Sequence, residues 1–136
     1  MSFIARINRQ RYREFGVSIF ESDGSTDANL AAEDTVIVRI GDINGETALE
    51  IKSGETTDGD STVTFTAGSN DCVVSVGMAD AQDLELPIYD CEIFVIDDSD
   101  KDAAGSARYK HCETGVLHVQ GTLPEPPEAQ SSSSST

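Results

Sequence analysis

From residue 15 onward the chain is a succession of short β-type runs separated by turn residues, with no stretch that sustains a 3.6-residue apolar period for three turns. Apolar residues alternate within these runs, as at Val36, Val38 and Ile40, which places them on one face of a strand. Two of the runs are joined by Asn44-Gly45, a dipeptide that tolerates the positive φ angles of a tight hairpin. The pattern argues against an α/β fold and predicts an all-β domain.

About seven to eight strands at a spacing of about 8–12 residues predict a two-sheet β-sandwich. The most apolar run, Ile88–Asp97, carries apolar side chains on both faces. It is therefore expected to be a central strand or one whose outer face meets a partner. Strands are predicted over Phe15–Glu21, Thr35–Ile40, Ala48–Lys52, Thr62–Thr66, Cys72–Val76, Ile88–Asp97, Ala107–Cys112 and Val116–Leu123, with a helical turn over Met78–Leu84.

Charge divides the chain into two unequal parts. The first thirteen residues hold four of the nine Lys/Arg and no Asp/Glu, whereas the rest carries all 25 acidic residues, and the net charge is −16. A strongly acidic body repels nucleic acid and anionic lipid, so neither is expected as a partner. Arginines on a short segment suit an acidic protein surface or phosphates.

Composition predicts three parts: a basic docking arm at 1–13, a sandwich at 14–123, and a Pro/Ser-rich tail at 124–136 that is extended or disordered. The arm is compatible with a short helix or an extended segment. Its apolar and arginine residues interleave, which is typical of interface cores, although an unstructured segment that only offsets acidity elsewhere is the competing interpretation. The predicted partner-binding residues are Phe3, Ile4, Arg6, Ile7, Arg9, Arg11, Tyr12 and Arg13.

The three cysteines are odd in number and lack CxxC spacing, so buried thiols in a reducing compartment are expected rather than a disulfide framework or a four-cysteine zinc site. The sequence contains no run of 18 apolar residues and no apolar segment or cleavage site after its basic start. Synthesis in the cytoplasm without membrane insertion is therefore expected.

Two clusters could hold a metal. Asp98, Asp100 and Asp102 have the alternating carboxylates that begin a calcium loop, but the glycine and glutamate that should follow are Ala103 and Tyr109. A solvated acidic loop is the favoured interpretation of this segment.

The second cluster is His111, Cys112 and His118, whose histidines could face each other across a hairpin at Thr114-Gly115. Zinc needs four ligands, or three and water, so a surface histidine pair is favoured. No Gly-x-Ser-x-Gly elbow, phosphate loop or tuned carboxylate pair is present, and activation of Cys112 by the histidines is disfavoured. We expect neither an enzyme nor a cofactor.

The stretches Leu84–Ile93 and Gly115–Leu123, together with Asp34–Val38, resemble the immunoglobulin-like domains of bacteriophage structural proteins. In such sandwiches a tyrosine two residues before a cysteine forms a corner whose hydroxyl bonds to nearby backbone, and Tyr89 precedes Cys91 by that spacing. The chain has no tryptophan, unlike antibody domains, and a Cys72–Cys91 disulfide would need an oxidising setting.

The resemblance implies a non-enzymatic virion subunit, either a capsid decoration (cement) protein or a neck, tail or baseplate component. Its partners would be the major capsid protein or neck and tail proteins, and a homo-oligomer is expected because a sandwich has open edge strands. The alternative is a carbohydrate- or ligand-binding module on the same sandwich. Such a module needs aromatic side chains on its surface. This chain has no tryptophan, and its three tyrosines are Tyr12, Tyr89 and Tyr109.

Overall fold

A computed structural model describes residues 2–21, 23–101 and 107–121, with side chains described for 3–21, 23–96 and 110–121. The predicted tail at 124–136 lies outside these residues. Within them the chain forms eight strands and one short helix: β1 (Ser2–Asn8), β2 (Glu14–Ser18), β3 (Asp34–Gly41), β4 (Thr47–Lys52), β5 (Thr62–Phe65), β6 (Asp71–Ser75), α1 (Met78–Asp83), β7 (Ile88–Lys101) and β8 (Ala107–Gln120).

The strands form two sheets that pack face to face. One has the order β1-β8-β7-β3-β4 and the other the order β2-β6-β5. Alternate residues of each strand enter the core between them, such as Val36, Val38 and Ile40 from β3 and Cys72 and Val74 from β6. The predicted two-sheet all-β sandwich is confirmed. The division of strands β2 to β8 between the sheets is that of an immunoglobulin-like sandwich with one extra strand, β4, beside β3.

The predicted boundary at residue 14 is wrong, because the sandwich begins with β1. This strand lies parallel to β8, in register from Ser2 opposite Thr114 to Asn8 opposite Gln120. Ala5 and Ile7 are buried in the core, and Phe3 packs against it. Phe3, Ala5 and Ile7 recur with a period of two, and this period favours a strand because alternate side chains of a strand reach one face.

The two predicted runs at 107–112 and 116–123 are one continuous strand, β8. The antiparallel ladder with β7 passes through Glu92 opposite Thr114 and Cys91 opposite Gly115 without a turn. Gly115 instead allows the close approach of β1, because a Cβ on it would overlap the backbone oxygen and ring of Phe3. Strand β7 also extends into the acidic loop predicted at 97–105, because it runs to Lys101.

Tyr89 closes the connection between α1 and β7. Its side chain is buried at the start of β7, and its hydroxyl accepts a hydrogen bond of 3.0 Å from the backbone N–H of Leu86, three residues upstream. This is the geometry of a tyrosine corner.

Replacing Tyr89 by phenylalanine should therefore lower the free energy of unfolding by about 1 kcal/mol, the usual net value of one hydrogen bond. The ring still fills its place, so the fold should be retained. Urea unfolding of both proteins measures the difference. An unchanged midpoint would mean that the hydroxyl contributes nothing to the corner.

Candidate docking surface

The open edge of β1 is the first part of the candidate site. The N–H of Arg9 donates to the carbonyl of Gln120 at 2.9 Å, so the odd residues of β1 direct their backbone groups towards β8. The even residues Ile4 and Arg6 consequently direct their N–H and C=O groups to the open side, where they have no backbone partner among the described residues. An edge strand of this kind is a template for pairing with another chain.

The side chains next to this edge are exposed and basic or apolar. Ile4 is 68 % exposed and Tyr12 is 74 % exposed, and Arg6 and Arg11 are exposed as well. The carbonyl of Tyr12 accepts the N–H of Asn8 at 2.6 Å, which holds the segment after β1 against the end of that strand. In the part of the chain with described side chains, neither arginine pairs with a carboxylate. We call Ile4, Arg6, Arg11 and Tyr12 the β1-edge surface. A cleft of about 420 Å³ includes two of these residues, and its lining consists of Arg11, Tyr12, Arg13, Glu14, Ser75 and Val76.

The other residues of the predicted partner-binding set are used inside the fold. Ile7 is 1 % exposed in the core, and Phe3 is half-buried against Gly115. Arg13 is partly buried and donates through Nε to the carbonyl of Val76 at 3.2 Å. The prediction that Ile7 is exposed for docking is therefore wrong, since a side chain in the core cannot meet a partner.

Arg9 is the clearest departure from the predicted role, because it is only 5 % exposed. Its guanidinium donates to the carbonyls of Leu84 at 2.9 Å, Gly121 at 2.5 Å and Leu86 at 3.3 Å. These carbonyls belong to the α1–β7 connection and to the end of β8. Arg9 is thus a structural residue that joins three segments, and the predicted docking role for it is wrong.

The candidate metal ligands do not come together where the structure describes them. His111 and His118 lie seven residues apart on one strand, so their side chains are on opposite faces and about 23 Å apart. The predicted pairing of these histidines across a hairpin is wrong. His111 lies instead with Nδ1 3.9 Å from a carboxylate oxygen of Glu21.

The acidic candidates are only partly described. The backbone of Asp98 and Asp100 forms part of β7, but their side chains are not among those that the structure describes. Asp102 lies outside the described residues. Among the described side chains no group of three or more His, Cys, Asp or Glu residues could hold a metal ion.

All three thiols are free. Burial, with a smaller contribution from a neighbouring carboxylate, raises the pKa of Cys72 and of Cys91 to about 12. Cys112 is exposed, and partial burial followed by Glu92 and Glu113 also raises its pKa. A raised pKa lowers the thiolate fraction at neutral pH, so none of the three is an activated nucleophile.

The buried thiols make stability depend on alkaline pH. Unfolded cysteines ionise near pH 8.5, whereas Cys72 and Cys91 stay protonated in the fold until about pH 12. Unfolding therefore releases protons above pH 8.5, and stability should fall as pH rises from there towards 12.

The double variant Cys72→Ala, Cys91→Ala checks this expectation. It should lose less of its free energy of unfolding between pH 7.5 and pH 10.5 than the parent does, whereas Cys112→Ser, which removes a less buried thiol, should follow the parent more closely than the double variant does. Equal losses in the parent and the double variant would show that the thiols do not cause the pH dependence.

A second cleft, of about 410 Å³, lies on the outer face of the five-stranded sheet. Its lining includes the polar and charged residues Arg39, Asp42, Asp90, Glu92 and Thr114. The lining contains no aromatic side chain. Arg39 is already engaged, since its guanidinium lies 5.3 Å from the ring centroid of Phe94 and 3.1 Å from Glu50. The cleft therefore lacks the stacking platform that a carbohydrate module uses.

Two buried carboxylates that no sequence motif marks stabilise the sandwich. Asp34 accepts hydrogen bonds from the ammonium of Lys110 at 3.1 Å and from the backbone N–H of Ala31 at 2.8 Å. Glu113 accepts a hydrogen bond from the backbone N–H of Phe20 at 3.0 Å. Glu113 thus links β8 to the segment after β2. Both have partners within the fold, as buried charges require.

No helix among the described residues is long and apolar enough to cross a membrane. No protein-family model and no curated protein matches the chain.

Proposed function

We propose that the protein is a non-enzymatic structural subunit of a bacteriophage virion that docks through its β1-edge surface onto an acidic surface of another virion protein. The observation that carries the docking role is the exposure of Ile4, Arg6, Arg11 and Tyr12 at an open strand edge. Tyrosine and arginine are the residue types enriched among binding hot spots, and the β1 strand holds Ile4 and Arg6 in a fixed geometry.

The electrostatic argument concerns the partner. The β1-edge surface is basic on a chain whose net charge is −16, so a partner face rich in carboxylates is attracted to this side and repelled by the rest. A planar guanidinium can hold a carboxylate by two parallel hydrogen bonds. The virion assignment itself comes from the resemblance of residues 34–38, 84–93 and 115–123 to phage immunoglobulin-like domains, with a capsid decoration, neck, tail or baseplate position.

Binding to particles that lack the protein tests the proposal. The variant Arg11→Glu, Tyr12→Ser should bind at least about tenfold more weakly, because it removes one cation and one aromatic anchor from the surface. A control is Ile43→Ser, Asn44→Asp, which removes an apolar side chain and adds negative charge at exposed residues of the hairpin between β3 and β4. Equal weakening by both variants, or by neither, would contradict docking through this surface.

The alternative function, a carbohydrate- or ligand-binding module, would use the cleft that contains Arg39 and Glu92. Glycan binding by the isolated protein that disappears in Glu92→Gln would replace the proposal. We expect no such binding, because the described surface near the cleft offers no aromatic platform.

A further inference from the structure

Both ends of the five-stranded sheet are open. At the far end from β1, the N–H of Ser53 donates to the carbonyl of Val36 at 2.8 Å, so the odd residues of β4 bond to β3. The even residues Glu50 and Lys52 direct their backbone groups outwards, whereas Ala48 lies at a register shift of the ladder. Glu50 has no backbone partner in the described part of the chain, so β4 and β1 each offer free backbone groups at an edge of the sheet.

Opposite charges stand at these two edges on the same face. Across the outer face, Glu50, Arg39 and Glu92 lie side by side in register on β4, β3 and β7, so the charge alternates along the row. The row ends at the open edge with Glu50, whose side chain is 45 % exposed. Arg6 is exposed on the same outer face of β1, because Ala5 and Ile7 occupy the core face there.

We infer that copies of this chain associate head to tail by sheet extension, with β1 of one copy pairing antiparallel to β4 of the next and Arg6 lying opposite Glu50. Strands β1 and β4 run in opposite directions within the sheet, so two copies in similar orientation meet in the antiparallel sense. Arg6 and Glu50 both direct their backbone groups to the contact and can exchange two hydrogen bonds. Their side chains then extend the alternating row of charges.

The contact is heterologous. The β1 edge carries arginine and no carboxylate, so a symmetric β1–β1 pairing would form no ion pair. Pairing of β1 with β4 joins two different surfaces, and such contacts close into rings or continue as filaments. This inference deepens the proposed function, since it assigns the backbone edge of β1 and Arg6 to a second copy and leaves Arg11 and Tyr12, which follow β1, to the other virion protein.

The net charge of −16 opposes association at long range. At about 0.15 M salt the screening length is about 8 Å, which weakens this general repulsion but leaves a direct contact between Arg6 and Glu50 in force. The experiment is therefore sedimentation of the purified full chain at that ionic strength over a wide concentration range.

The wild-type protein should show concentration-dependent association. Arg6→Glu and Glu50→Lys should each weaken it by about tenfold or more, because each places like charges opposite each other. A mixture of these two variants should recover the association, since every contact between unlike copies restores an opposite pair. The control Glu46→Lys makes the same change as Glu50→Lys at an exposed residue outside the paired strands and should leave the association unchanged.

A further variant tests the backbone pairing. Ile4→Pro removes an N–H that faces the open side, so the sheet within each copy keeps its bonds and the variant should fold yet fail to associate. Circular dichroism at the same concentrations verifies the fold of each variant.

Three results would overturn the inference. The first is a wild-type protein that stays monomeric at every concentration, and the second is association that Arg6→Glu does not weaken, which would indicate pairing of β4 with β4. The third is a mixture of Arg6→Glu and Glu50→Lys that does not recover the association. A monomeric protein that still binds particles would leave the proposed function standing. A self-associating protein that is absent from particles would leave the inference standing and contradict the proposed function.

Discussion

Replacing Arg9 by alanine should lower the free energy of unfolding by about 3 kcal/mol, whereas the same replacement at Arg11 should change it by less than about 0.5 kcal/mol. The two arginines are two positions apart in a basic segment, but Arg9 is 5 % exposed and Arg11 is exposed. Without the Arg9 guanidinium, the carbonyls of Leu84, Leu86 and Gly121 lose their shared donor.

Arg9→Lys refines this expectation. A lysine ammonium is a point charge without the planar fork of a guanidinium, so it cannot serve three carbonyls in these directions and should recover only part of the loss. Urea unfolding at pH 7 measures all three variants. Equal stability of Arg9→Ala and Arg11→Ala would mean that residues 1–13 are an arm after all.

Replacing Gly115 by alanine should cost about 3 kcal/mol, because the new Cβ would overlap the backbone oxygen and ring of Phe3. Strand β1 has to move away from β8 to relieve the overlap, so the loss should be concentrated in residues 3–8. Gly16→Ala is the matched control, since a Cβ there would meet its nearest atom, the carbonyl oxygen of Cys72, at an ordinary 3.7 Å.

Amide hydrogen exchange distinguishes the two replacements. In Gly115→Ala the amides of Ala5 and Ile7, which face β8, should exchange faster, while those of β3 and β7 should change less. In Gly16→Ala all of them should exchange as in the parent. An unaltered β1 in Gly115→Ala would contradict the close approach of the two strands.

Most of the sandwich could be predicted because its signals are local. The alternation of Val36, Val38 and Ile40 identifies a strand buried on one face, and the period of two specifies which side chains enter the core. The helical turn predicted over Met78–Leu84 corresponds to α1.

The segment at 1–13 could not be predicted in the same way. Phe3, Ala5 and Ile7 do alternate, but arginines lie among them, and the bond partner β8 is more than a hundred residues away. Composition suggests a solvated basic arm, whereas a non-local parallel ladder decides the structure. The hairpin predicted at Gly115 is wrong for a related reason, since a glycine that admits a neighbouring strand has the same sequence signature as one in a turn.

The candidate site was predictable only as a segment. Four of its eight named residues, Ile4, Arg6, Arg11 and Tyr12, lie on the exposed surface. The burial of Arg9 depends on three backbone carbonyls that no residue type reveals. The open backbone edge, which gives the surface its pairing capacity, follows from the hydrogen-bond register and not from side-chain chemistry.

The most direct test of the account is quantitative mass spectrometry of purified phage particles produced with and without this gene. We expect the chain in particles at a fixed ratio to the major capsid protein. Hundreds of copies would place it on the capsid as a decoration subunit, and a small fixed number would place it at the neck, tail or baseplate. Its absence from particles would contradict the virion function.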